Sequence, residues 1–467
     1  MTKSAVSLSL IVLLACGDDA PASEPDAEVP DAEVPDAEIP DADVPDVLPP
    51  GCREDPTDPA PPIPDPGEPA SPPELDCGVP EIAEGTGLWR WPYLESATQT
   101  SVRIAWTSRT GAPAVVRYAA DPTGEWTEVA AARELFDRAR TAQEADYSAY
   151  DATLEGLQPG SAYCYEIVED GTVLARNLRF DTAWEGTDRP VNILVLGDSG
   201  NGSEEQLAIR DAFMGESYDV FLHVGDMAYG DGEFFEFEAR FFDVYQTLMH
   251  RTPVFPAIGN HEYKTELGRP YRDVYHNLEN AWRERDKELY YSFDYGNIHF
   301  TALDSNDAML IPIYLDFDGL ETQDMFDWMI DDISSSDADW KIVYMHHPFY
   351  SSSERGIREG SIEVFRTLLE ELGVDLILAG HDHHYERSFP IVEGCNNVNP
   401  TGVTEIIAGG AGAGIRDIEF PNSWHSARIY NGDNSYLRVE IHGCRLRGEA
   451  LNTANEVVDE FELNGCD

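Results

Sequence analysis

VNILVLGDSG (residues 191–200) sets the pattern from which the rest of the chain can be read. Its first six residues are apolar but for Asn192, as expected of a strand covered on both faces, and the run stops at Gly197-Asp198. The same grammar returns four times. DVFLHV (219–224) ends at Gly225-Asp226, PVFPAI (253–258) at Gly259-Asn260, WKIVYM (340–345) at His346-His347 and VDLILA (374–379) at Gly380-His381. Segments of helical period lie between several of them. SEEQLAIRDAFM (203–214) is one; SIEVFRTLLEEL (361–372) is another, placing Ile362, Phe365, Leu368, Leu369 and Leu372 on one face. Strands alternating with helices predict an α/β layered domain, and in such domains ligands bind beyond the carboxyl ends of the strands.

Each of those ends carries Asp, Asn or His. Taken singly, a capping Asp or a hydrogen-bonded loop His accounts for any one of them. Together they would crowd carboxylates and imidazoles with no compensating charge, which points to bound cations. The inventory is Asp198, Asp226, Tyr229, Asn260, His346, His381 and His383. Carboxylate, imidazole, amide and phenol without thiolate suit first-row metals in a mixed nitrogen and oxygen site. His381 and His383 lie two apart, so one loop can serve two ions, and two ions bridged by one carboxylate suit in-line displacement at phosphorus.

GDSG (197–200), GDMAY (225–229), GNHE (259–262), VYMH (343–346) and GHDH (380–383) resemble, in order, the five blocks of purple acid phosphatases within the calcineurin-like metallophosphoesterases. The resemblance extends over roughly residues 88–460. It implies a four-layer-type β-sandwich flanked by helices in a catalytic domain spanning 185–467. It also implies a cofactor pair of Fe(III) and a divalent ion (Fe, Zn or Mn). Asp198, Tyr229 and His383 look like ligands of the ferric ion, Asn260, His346 and His381 like ligands of the divalent one, and Asp226 like the bridge. The implied activity is hydrolysis of phosphate monoesters by metal-bound hydroxide attacking phosphorus, with His261 assisting the leaving group and Asn260 and His261 near the substrate. Phosphodiester or nucleotide hydrolysis on the same pair, and a binding module that keeps the fold without turnover, are the alternatives.

One departure from the family concerns HHPFYSSSERGIREG (346–360), where plant members carry a His pair near the substrate phosphate. Arg355 or Arg358 stands in that region as a candidate phosphate clamp or as a solvated loop arginine. His347 and His384 are extra histidines, expected to support neighbouring ligands or the fold. Glu262 either orients His261 or is a solvent carboxylate. GGAGAG (409–414) lacks the Lys-Ser/Thr of a phosphate loop and reads as a turn closing the sheet after TEIIA.

Composition limits the partners. The 467 residues hold 31 Lys+Arg against 88 Asp+Glu, a formal charge of −57, the reverse of what a nucleic-acid duplex or an anionic lipid surface attracts. Small phosphate esters are the expected substrates, drawn by a local surplus: a ferric–divalent pair brings about +5 and its ligands return about −3. Nothing in the sequence fixes the oligomeric state.

Outward toward the N-terminus, residues 88–184 alternate as short strands. SVRIAWTS (101–108) and AVVRYAA (114–120) have period two, and SAYCYEIVEDGTVLARNLRFDT (161–182) turns at Asp170-Gly171. The stretch WPYLESATQTSVRIAW resembles the fibronectin-III-like N-terminal domain of plant purple acid phosphatases. Residues 17–87 are acidic and Pro-rich, with 21 acidic residues against the single Arg53 and a repeating PDAEV unit. They read as a disordered, extended linker; cation or partner binding is the other reading. Lys3 and the apolar run Ala5–Ala15 have signal-peptide length. Leu13-Leu14-Ala15-Cys16-Gly17 resembles a bacterial lipobox, implying a signal peptide of residues 1–16 and lipidation of Cys16 as the sole membrane contact. An ordinary secretory signal is the alternative. Either exports the protein, to a lipid-anchored place on the cell envelope (outer membrane or cell surface) or to the medium. The six remaining cysteines suit an oxidising compartment, with Cys52–Cys77 and Cys395–Cys444 the expected pairs.

Overall fold

The computed structural model describes residues 63–465, without 84, 279, 309–320, 359–360 and 397–401. The expected signal peptide, Cys16, Cys52, Cys466 and residues 17–62 of the linker lie outside the described residues.

The strand Val191–Leu196 is buried along its length save Asn192, and its two faces meet different partners. Ile193 and Val195 face a second sheet, whereas Leu194 and Leu196 face helices. It pairs in parallel with Val220–His223, which pairs in parallel with Val254–Pro256. Antiparallel strands Ser435–His442, Arg445–Asn452 and Val457–Asn464 complete this six-stranded sheet. The other two motif strands, Trp340–Tyr344 and Leu376–Ala379, lie side by side in a seven-stranded sheet. The five predicted strands are therefore divided three and two between two mixed sheets. These pack face to face, with Phe255 stacked on Phe293 at 3.8 Å between ring centroids. Helices Glu204–Phe213 and Asp243–Met249 cover the outside of the first sheet, and helix Glu321–Ser335 covers the second. Ser203 caps the first of these, its Oγ accepting from the Gln206 amide. The result is the expected four-layer α/β arrangement. The segment read as one helix over 361–372 starts as a π-helix at Ile362–Arg366 and becomes α-helical at Thr367. There the Thr367 hydroxyl donates to the Ile362 carbonyl.

The N-terminal domain is all-β, with sheets of five and four antiparallel strands. Trp106 stacks on Tyr150 at 5.3 Å between ring centroids within its core. The predicted hairpin joins Ala162–Glu169 to Thr172–Asp181 through Asp170 and Gly171, both at positive φ.

Two expectations are corrected here. The linker was read as running to residue 87, but its last part is docked. Glu81–Ile82 adds a strand to the five-stranded sheet, Arg179 donates to the Pro73 and Leu75 carbonyls, and Cys77 is bonded to Cys164. A proline-rich segment with few apolar side chains is held through its carbonyls and a covalent bond in place of a core. That disulfide also replaces the expected Cys52–Cys77 pairing. Cys395 and Cys444 are each disulfide-bonded, but a bond between them is not among the described bridges.

The N-terminal domain is joined to the catalytic domain through buried groups. Arg90 is paired with Glu238, its Nε at 3.1 Å from Oε2, and its guanidinium lies 3.7 Å from the Phe242 ring centroid. The Tyr93 and Tyr165 hydroxyls donate to the carbonyls of Val274 and His250. Removing one member of a buried pair strands the other, so Arg90→Ala should cost about 3–5 kcal/mol. Arg90→Met with Glu238→Leu should recover most of it in a urea titration. Equal losses in the single and double variants would show that the pair itself is not what matters.

Candidate metal centre

All seven predicted ligand positions converge at the carboxyl ends of the two sheets' parallel strands. The local backbone explains how. Asp198, Asp226 and His381 each sit at positive φ (56°, 59° and 67°) just past a strand, which turns their side chains inward. Such conformations cost non-glycine residues energy and persist where surrounding structure enforces them, typically at functional sites. Gly225 has φ +96°, and a Cβ there would lie 2.5 Å from Nδ1 of His346. A Cβ on Gly259 would lie 2.2 Å from Oδ1 of Asp226. Both glycines are needed so that ligands from different loops can touch.

The side chains form two groups. In one, the Tyr229 hydroxyl donates to Asp198 Oδ1 at 3.0 Å and lies 3.1 Å from His383 Nε2, itself 3.4 Å from Asp198 Oδ1. In the other, Asn260 Oδ1 lies 2.9 Å from His346 Nε2 and 3.1 Å from His381 Nδ1, and these two nitrogens are 3.2 Å apart. Asp226 stands beside the second group, its Oδ2 3.3 Å from His346 Nε2. The cluster Asp198, Asp226 and His346 spans both groups within 4.8 Å.

These contacts test whether a metal pair fits. His346 Nδ1 donates to the Val224 carbonyl and His383 Nδ1 to the Gly414 carbonyl, each at 2.9 Å. Held this way, either ring in its neutral form turns the lone pair of Nε2 inward. His346 Nε2, His381 Nδ1 and Asn260 Oδ1 then crowd within 3.2 Å of one another, an arrangement that a shared cation or proton would satisfy. Ligand atoms bound at 2.0–2.2 Å are spaced by roughly 2.8–3.6 Å, which brackets the separations found. The residues fit.

His261 flanks this centre. Its Nδ1 donates to the Gly230 carbonyl at 2.7 Å, leaving Nε2 3.9 Å from Asp226 Oδ2. Lys264, which the sequence reading did not single out, donates to the same carbonyl at 2.9 Å and lies 3.1 Å from His261 Nδ1.

Glu262 is neither a solvent carboxylate nor bonded to His261. It is fully buried and accepts the amides of Asp226, Met227, Ala228 and Gly259 at 2.8–3.0 Å. Burial and the Asp226 charge push its carboxyl up to about 7, against the amides that favour its ionised form. Arg355 is not a solvated loop arginine: its side chain is 17% exposed and Nε lies 3.2 Å from Oδ1 of the fully buried Asp382. His384 faces away, 2.9 Å from Glu386 in a buried network with Ser352. The loop of residues 409–414 does more than close the sheet, because Gly414 orients His383.

Residues 191–385 match the family model for calcineurin-like phosphoesterases, and residues 92–182 match that for the purple acid phosphatase N-terminal domain. The chain carries a calcineurin-like phosphoesterase domain preceded by a purple acid phosphatase N-terminal domain. It is similar to acid phosphatase type 7 of Homo sapiens, 27% identical over 320 residues that cover 62% of this chain and 70% of that protein. Purple acid phosphatase 22 of Arabidopsis thaliana is 28% identical over 238 residues, 48% of this chain and 50% of that one. The solved purple acid phosphatase PPD1 from yellow lupin (Lupinus luteus) seeds shares the fold, with a TM-score of 0.69 at 21% identity over 80% of this chain and 74% of that one. These likenesses assign a phosphoesterase and imply a binuclear metal centre, and the two side-chain groups beside Asp226 hold donors that could take metal.

Proposed function

We propose that this chain hydrolyses phosphate monoesters outside the cytoplasm, with Fe(III) held by Asp198, Tyr229 and His383 and a divalent Fe, Zn or Mn held by Asn260, His346 and His381. Asp226 serves both. The observation that carries this reading is the pair of lone-pair clusters around one shared carboxylate, with a phenol in only one of them. When bound, the metal pair supplies Lewis acidity toward phosphate oxygens and acidifies a water for attack. The chain's own groups do the rest. Asn260 presents its amide at the mouth of the centre. His261 is held through Nδ1 by the Gly230 carbonyl, so the proton it gives a leaving oxygen sits on Nε2. Arg355, anchored by Asp382, offers a guanidinium to the phosphate. The disulfide Cys77–Cys164 supports export to an oxidising compartment, and a lipid at Cys16 would hold the body at the cell envelope. Among the described residues no helix is long and apolar enough to cross a membrane. Small phosphate esters, not duplex nucleic acid, are the partners.

Elemental analysis of the exported protein, its visible spectrum, and rates on p-nitrophenyl phosphate and its bis-ester test this together. Two metals per chain, one of them iron, and preference for the monoester are expected. Preference for the bis-ester would move the assignment to phosphodiesters. Full metal occupancy with no hydrolysis of any ester would make the protein a binder. Tyr229→Phe should abolish the visible phenolate-to-iron band; an unchanged spectrum would place the ferric ion elsewhere.

A further inference from the structure

The histidine after the VYMH block is built into the centre in a way the ligand set does not use. His347 is 5% exposed, and its ring centroid lies 5.0 Å from that of His346 and 4.3 Å from that of His381. Its backbone amide donates to Ser305 Oγ at 3.0 Å, and the same Oγ lies 2.9 Å from its Nδ1. Ser305 is fully buried and has no other acceptor for its proton among the described residues. A hydroxyl that accepts from the amide satisfies its own proton only by donating to Nδ1, and that places the ring proton on Nε2. Nε2 has no hydrogen-bond partner among the described residues, yet it is not among the fully enclosed orphan atoms, unlike Nε2 of the adjacent His381. Nε2–H is thus a donor with access to the centre, free to meet an arriving acceptor. On the side of a centre whose metal pair leaves a local positive surplus, that acceptor is anionic.

We propose that His347 contacts the substrate: its Nε2–H, fixed by Ser305, donates to a phosphate oxygen on the side of the centre formed by His346 and His381. This rests on the phosphoesterase reading and adds to it a determinant of phosphate binding. The competing role is a further metal ligand, because His346, His347 and His381 each bring a ligating atom within 4.8 Å of the others. The Ser305 lock argues against it, since a protonated Nε2 has no lone pair to give.

The test uses the metal-loaded chain and inorganic phosphate, with binding followed by calorimetry and metals counted separately. His347→Phe keeps a ring of similar bulk without a donor, His347→Gln returns an N–H, and Ser305→Ala loosens the lock without touching the histidine. His347→Phe should retain both metals, weaken phosphate about tenfold and raise KM for p-nitrophenyl phosphate more than it lowers kcat. His347→Gln should recover part of that loss, and Ser305→Ala, which leaves the ring in place should the Phe variant misfold, should weaken phosphate about threefold. Loss of a metal from His347→Phe would overturn the proposal in favour of ligation. Unchanged phosphate affinity in both His347→Phe and Ser305→Ala would overturn it in favour of a purely packing role. Wild-type protein holding two metals without binding phosphate would overturn the phosphoesterase reading and the His347 contact with it.

Discussion

Asp226→Ala should leave the chain folded but empty of both metals, with turnover of p-nitrophenyl phosphate down by roughly a thousandfold or more. Asp226 stands between the two side-chain groups: its Oδ2 lies 3.3 Å from His346 Nε2, and Asp198, Asp226 and His346 gather within 4.8 Å. Losing an outer partner of a ligand typically costs ten- to a hundredfold in metal affinity or activity, and losing a ligand common to two ions costs more. Its Oδ1 also accepts the His261 amide at 3.0 Å, so the residue beside the leaving oxygen loosens at the same time. Elemental analysis of the purified variant decides the matter. A full complement of two metals would mean that the groups are held independently and that Asp226 bridges nothing.

Glu262→Gln is expected to be nearly as damaging, although Glu262 ligates no metal. Oε1 accepts from Met227 and Ala228, and Oε2 from Asp226 and Gly259. A glutamine would turn an NH2 toward two of those four amides, replacing two bonds by donor–donor contacts in a fully buried place. At about 1–3 kcal/mol for each stranded donor, the loss is about 2–6 kcal/mol. The strain falls on the turn that carries Asp226 and the helical turn Asn260–Tyr263. Metal retention under a chelator challenge and the thermal midpoint should drop together, with kcat reduced about a hundredfold. A variant destabilised but still tightly metallated would show that Glu262 serves only the fold.

The strand ends were legible because a doubly covered strand needs an uninterrupted apolar run, and because a metal needs Asp, Asn or His where that run stops. Tyr229 and His383 were legible through the GDMAY and GHDH blocks, where the family resemblance implies their roles. What the sequence hid depends on distance in space. Glu262 lies one residue from His261, which invites pairing them, but the helical turn points the carboxylate back at the loop beginning with Asp226. Arg355 and Asp382 are separated by a whole helix and strand, so nothing local announces their ion pair. The partition of five similar strands into two sheets was likewise invisible in runs that read alike. The docked end of the linker escaped notice because its hold on the fold comes from carbonyls and one cysteine, which composition does not weigh.

The interface around Arg90 bears on how such a chain can be rearranged. The aromatic and aliphatic core of the N-terminal sheets is continuous with that of the catalytic sandwich, and Glu238 depends on a cation from across the junction. The N-terminal module is therefore not an interchangeable cassette. A catalytic body trimmed at residue 185 would inherit an orphaned carboxylate and a bared hydrophobic flank, so lineages that shed the module would have had to rebuild that wall.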